Sequence, residues 1–127
     1  MMCLRKIDSV DKLNIPEDYR AHIKEYLKNV SEVPYVSRVI LFGSCAKENV
    51  GKHSDIDIFV TTNREVSEDE EFYLMDDCVP RDEDVMKWIS MDVLVQTEND
   101  YIKLVDNYWM VQKQVERYGV DLSGTIH

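Results

Sequence analysis

The chain alternates between stretches patterned for strands and stretches patterned for helices. Val39-Ile-Leu-Phe42 is an unbroken apolar run, which suits a strand covered on both faces, and Gly43-Ser44 ends it. From Asp55 polar and apolar positions alternate, so Asp55, Asp57 and Phe59 point to one face while Ile56, Ile58 and Val60 point to the other. Met91 to Val95 repeats that alternation, with Asp92 and Leu94 on one side and Val93 and Val95 on the other. Three strands are predicted. Helical spacing governs most of the rest. Pro16 suits the first turn of a helix whose Tyr19, Ile23, Tyr26, Leu27 and Val30 share a face, and His22 on that helix reads as a partly exposed residue. Ala46 to Val50 predicts a short helix, and Gly51 to Ser54 a turn. Ser67 with Glu70 forms a capping box, opening a helix with Phe72, Met75, Cys78 and Val79 inward and Pro80 at its end. The acidic run Glu68 to Glu71 fits the first turn of that helix through the macrodipole. Glu98 to Tyr118 carries the stripe Tyr101, Leu104, Val105, Tyr108, Trp109 and Val115, broken near Asp106-Asn107, and Gly119 suits its cap. Tyr108, Trp109 and Met110 are assigned to the core rather than to a partner-binding patch. Residues 1 to 14 form an unpatterned lead, Arg81 to Trp88 a charged connection, and Val120 to His127 a short edge strand.

The chemistry concentrates between Val39 and Val60. Glycine after the strand removes the Cβ and lets backbone amides approach an anion, while the Ser44 hydroxyl adds a donor, so the turn is suited to a triphosphate. Ten residues later, Asp55 and Asp57 share one side of a strand with Cα atoms about 7 Å apart, close enough to converge on divalent ions about 3.5–4 Å apart. Hard oxygen ligands of this kind suit Mg²⁺ held together with substrate phosphates. A Walker A loop is excluded, because His53 follows Lys52 where that motif demands Ser or Thr. Lys47 and Lys52 are each read as solvated loop lysines. Asp92, from its own residues alone, fits equally well a strand-start residue facing water and a third carboxylate.

Gly43-Ser44, ten residues, then Asp55-Ile56-Asp57 resembles the signature of the nucleotidyltransferase superfamily related to DNA polymerase β. The short chain is similar to the minimal nucleotidyltransferases, stand-alone catalytic domains that include antitoxins encoded beside a helical toxin with a HEPN domain. That resemblance implies the nucleotidyltransferase fold, an α+β arrangement with a small mixed β-sheet and helices packed mainly on one face. It implies that Gly43 and Ser44 bind the nucleotide, that Asp55 and Asp57 bind two Mg²⁺ ions, and that Asp92 completes the metal and catalytic set and prepares the attacking hydroxyl. It implies transfer of AMP from ATP to an acceptor hydroxyl, a tyrosine of a partner HEPN toxin, which silences the toxin. Where many members carry Arg directly after Ser and Gly four after it, this chain has Cys45 and Glu48.

Composition narrows the partners. At 127 residues the chain is read as a single domain, residues 1–127, with 44% apolar residues to build a core. A formal charge of −10, from 15 basic and 25 acidic residues, opposes binding to a polyanion, so no nucleic-acid template is expected. Cys3, Cys45 and Cys78 are an odd number at wide spacing, consistent with reduced thiols. No apolar stretch approaches the ~20 residues of a membrane span and no signal peptide is evident, so a cytoplasmic location is expected. The reading from another class is a protein of the same fold whose metal site is vestigial and which silences its partner by stoichiometric contact.

Overall fold

The structure, a computed structural model, describes residues 4–51, 53–80, 89–105 and 110–125. Its sheet is built on the apolar and alternating runs. β2 spans Val36–Phe42, starting earlier than the Val39 run because Val36 and Val39 both bury on one side. β3 spans Ile56–Thr62 and β4 spans Met91–Thr97. With β1 (Arg5–Lys6) and β5 (Val120–Asp121) they form a five-stranded mixed sheet in the order β1-β5-β2-β3-β4. β2 pairs antiparallel with both β3 and β5, whereas β3–β4 and β1–β5 are parallel. The expected C-terminal edge strand is therefore interior. The lead residues supply the edge instead, and two backbone bonds, from Arg5 N–H to Gly119 O and from Ile7 N–H to Asp121 O, fasten them to β5.

Helix α1 (Glu17–Val30) follows Pro16, its N-cap, and buries Tyr19, Ile23, Tyr26, Leu27 and Val30 as its spacing predicts. His22 departs from expectation: it is only 1% exposed, and neither ring nitrogen has a hydrogen-bond partner among the described residues. Helix α2 occupies Gly43–Ala46 rather than Ala46–Val50. Gly43, at φ +74°, turns the chain directly from β2 into a helical turn, and Glu48, at φ +56°, ends it. Glu48 thus takes the left-handed conformation for which glycine is favoured, and its carboxylate is held by the Asn14 N–H and Arg5.

Helix α3 (Glu68–Phe72) has both halves of the Ser67–Glu70 capping box. A π-helical turn, Tyr73–Asp77, follows and shifts the phase of the side chains. Leu74 and Cys78 therefore point inward, while Phe72, 58% exposed, and Met75, 39% exposed, point outward, contrary to the spacing-based expectation. The Tyr26 hydroxyl donates to the Leu74 carbonyl at 2.9 Å and the Asn29 amide to the Cys78 carbonyl at 2.8 Å, tying this turn to α1. The predicted 98–118 helix is two helices, α4 (Glu98–Leu104) and α5 (Val111–Tyr118). Met110 is exposed rather than core, while Tyr108 and Trp109, like the 81–88 connection, lie outside the described residues.

The core has two unequal parts. Val39, Leu41, Ile56, Ile58, Val60 and Val93 pack beneath α1, α2 and the α3 turn in the larger cluster. On the opposite face Ile40 and Phe59 pack with Tyr101 and Val105 of the α4 segment and Val115 of α5. Helices thus cover one face broadly and the other only in part. The result is the α+β, small mixed sheet expected from the sequence.

Candidate active site

The partly covered face carries three rows of side chains running across β2, β3 and β4. Register pairs Arg38 with Thr61 and Thr61 with Gln96, Ile40 with Phe59 and Phe59 with Leu94, Phe42 with Asp57 and Asp57 with Asp92. In-register partners on neighbouring strands project to the same side, so Asp57 and Asp92 stand side by side on strands roughly 4.8 Å apart. Sequence alternation fixes which face each Asp takes, but only the parallel β3–β4 pairing sets them abreast.

The turn passes directly against Asp57. A Cβ placed on Gly43 would collide with the Asp57 carboxylate, so glycine here serves both the positive φ and the close approach of backbone to carboxylate. Burial, then the Asp92 charge, then the Asp55 charge raise the Asp57 pKa above the ordinary carboxylate value. Asp55 lies one position before β3 and is exposed; its carbonyl accepts from the Cys45 thiol at 3.6 Å. The loop leading to it is fixed from α1, where the Tyr19 hydroxyl donates to the Ser54 carbonyl at 2.7 Å. Cys45 is fully buried, and burial followed by Asp57 and Asp55 pushes its thiol up to about 11, which keeps it protonated. Cys78 is likewise a buried free thiol, and Cys3 lies outside the described residues.

Ser44 is half-buried, and its hydroxyl makes no hydrogen bond among the described residues. The turn closes on itself through the backbone: Lys47 N–H donates to the Gly43 carbonyl at 3.2 Å and Asn49 N–H to the Ser44 carbonyl at 3.0 Å. Lys47 sits beside this turn with its ammonium 4.8 Å from the centre of the Tyr118 ring, and the Arg117 guanidinium lies 5.3 Å from the same ring. Neither cation has an ion pair among the described residues. Sequence reasoning treated Lys47 as solvated and passed over Arg117. One helical turn between Gly43 and Lys47 was the available signal for the first; nothing in the pattern pointed to the second. Lys52 lies outside the described residues.

A cleft of about 480 Å³ opens over the carboxylates, lined by Phe42, Asp57, Met75, Met91, Asp92 and Leu94. Its donor set is acceptor-only oxygen, and no cation pairs with Asp55, Asp57 or Asp92 among the described residues. That imbalance fits a divalent cation of the Mg²⁺ type. The expected closed set of three ligands is not preassembled, because among the described residues no three or more His, Cys, Asp or Glu side chains gather as a metal-holding group. Like charges without a counter-ion keep such side chains apart. Among the described residues, no helix is long and apolar enough to cross a membrane.

Comparison with known proteins gives two findings. The family described as nucleotidyltransferase domain matches residues 23–122, which run from α1 to just past β5. Among solved structures, a candidate nucleotidyltransferase from Sulfolobus solfataricus is similar at 20% identity and a TM-score of 0.43, over 69% of this chain and 80% of that one. No curated protein matches the chain.

Proposed function

Because this chain belongs to the nucleotidyltransferase domain family, we propose that it transfers a nucleoside monophosphate, AMP from ATP, to an acceptor hydroxyl on a partner protein. The observation that carries the reading is the pairing of Asp57 with Asp92 in register beneath the Gly43 turn, with no cation to balance them among the described residues. Gly43 and Ser44 would receive the β- and γ-phosphates, the glycine by allowing close backbone approach and the serine through its free hydroxyl. Asp55, Asp57 and Asp92 would hold Mg²⁺, two ions by the resemblance, and the bound metal would neutralise charge on the phosphates and the departing pyrophosphate.

The reaction is a displacement at the α-phosphorus. The acceptor oxygen bonds to that phosphorus, the α–β anhydride bond breaks, and pyrophosphate carries the electron pair away. Asp92, the more exposed of the pair, takes the hydroxyl proton and passes it to water. Asp57 lies packed against the turn, and the chain would contribute mainly orientation and charge placement. By resemblance the acceptor is a tyrosine of a HEPN-domain toxin, and the modification makes this protein an antitoxin that works in the cytoplasm.

Labelled ATP, Mg²⁺ and the HEPN-domain partner test the reading together. Label should appear on the partner and vanish in the Asp55→Ala plus Asp57→Ala variant. Silencing of the partner that survives this double change would instead establish the stoichiometric binder.

A further inference from the structure

The cleft beside the carboxylates is asymmetric. On the β2 side the lining is Phe42, the residue before the Gly43-Ser44 turn; on the β4 side, beyond Asp92, it is thioether and hydrocarbon, from Met91, Val93 and Leu94 with Met75 of the π-helical turn. That wall continues outward. Leu94 is 41% exposed, and the π-helical turn swings Met75 and Phe72 to the surface one helical step apart. Large side chains left in water beside a site, and rimmed by charge, mark a contact surface. Here the rim is acidic: Glu68 and Asp69 precede the ridge, Asp77 follows it, and all three are exposed.

We propose that the Leu94–Met75–Phe72 surface is the docking site for the protein that carries the acceptor hydroxyl, a segment with apolar side chains flanked by Lys or Arg. This inference rests on the nucleotidyl-transfer reading and adds to it the chemistry of the acceptor. A polyhydroxyl sugar would need hydrogen-bond partners that methyl and thioether groups cannot supply. A nucleic acid is repelled by the rim and by the chain's charge of −10, and a second copy of this chain would bring its own acidic rim against this one. A protein segment of opposite charge meets both demands, with the rim steering the encounter and the ridge holding the segment once seated.

Two synthetic peptides test the proposal on the full chain with Mg²⁺ and labelled ATP. Each holds one tyrosine beside leucine and phenylalanine; one is flanked by lysine and arginine, the other by glutamate. The basic peptide should be labelled with a KM about tenfold below that of the acidic one. Phe72→Glu should raise the KM for the basic peptide about tenfold while the KM for ATP holds, Leu94→Glu should raise it similarly, and Phe72→Ser should raise it less. Ile102→Glu replaces a side chain nearly as exposed as Phe72, at 53%, but on α4 and outside the cleft lining, and it should change neither value. Equal KM values for the two peptides, or values unmoved in Phe72→Glu and Leu94→Glu, overturn the docking surface and leave transfer standing. Wild-type protein that binds ATP yet labels neither peptide overturns it too. Wild-type protein that binds no ATP in the presence of Mg²⁺ overturns the transfer reading beneath it.

Discussion

The two ends of the partly covered sheet face treat charge in opposite ways. At one end Arg38 grips Glu98 with two hydrogen bonds of 3.0 and 2.6 Å, reaches Glu116 at 3.5 Å, and lies 5.0 Å over the Tyr101 ring, whose hydroxyl also donates to Glu116 at 3.1 Å. At the other end, beyond the apolar Ile40–Phe59 row, Asp57 and Asp92 repel each other with no cation opposite among the described residues. The same three strands supply both rows. A charged cluster that serves folding is closed within the chain, whereas the one beside the turn is open to a visitor that supplies the missing positive charge.

The sharpest way to break that contrast is to neutralise the open end. Asp57→Asn should reduce nucleotidyl transfer on the order of a thousandfold and at the same time raise the melting temperature of the metal-free protein. Because the native Asp57 pKa is raised, its stabilising contribution is complete below the ordinary carboxylate value of about 4 and is lost as pH rises through the native value. Metal-free wild type should therefore lose stability as pH climbs through that window, and the variant should not. Thermal melts at stepped pH, with and without Mg²⁺, check this; identical slopes for the two proteins would mean that Asp57 is under no electrostatic load. The closed end should answer in reverse. Arg38→Met strands Glu98 and Glu116, one of them almost fully buried, and should destabilise the fold by about 3 kcal/mol in urea unfolding. Its folded fraction should keep the wild-type KM for ATP.

Gly43 serves backbone and carboxylate together. An alanine there meets a left-handed φ, worth roughly 1–2 kcal/mol, and its methyl displaces Asp57. Gly43→Ala should lower transfer by more than that stability loss explains, measured as kcat on protein shown to be folded.

Much of this was legible in the residues. The run ending at Gly43 and the alternation after Asp55 place the turn and the faces correctly, and the capping box marks the start of α3. What pattern could not carry was long-range pairing and phase. Nothing local says that Asp92 stands beside Asp57 rather than a step along, since that depends on parallel register between distant strands. Helical spacing assigned Phe72 and Met75 to the core because it assumes a regular helix, and one π-helical turn reverses them. Two-residue strands such as β1 and β5 have no period to read, so the interior place of β5 came only with the fold. Arg38 stands just before the predicted Val39–Phe42 run and carried no reading in the sequence; its role appears only once α4 and α5 bring carboxylates to it.

On the other face of the sheet, His22 is a third kind of polar site, neither closed by partners nor open to a ligand. It is a polar ring buried with neither nitrogen bonded among the described residues, so it has neither the partners of Arg38 there nor the open cleft of Asp57. Burial lowers its pKa, opposed in part by Asp18, and the native state therefore holds it neutral. Its stabilising contribution is intact above the ordinary histidine value of about 6.5 and is lost as pH falls through the lowered native value, because the unfolded chain takes the proton first. His22→Leu removes an unsatisfied polar group from the core and should stabilise the protein by about 1 kcal/mol at neutral pH. The gain should widen between pH 7 and pH 5, when wild type weakens and the variant does not. Urea unfolding at the two pH values checks the sign: a variant less stable than wild type at both would show that the ring has a partner worth more than the burial it suffers.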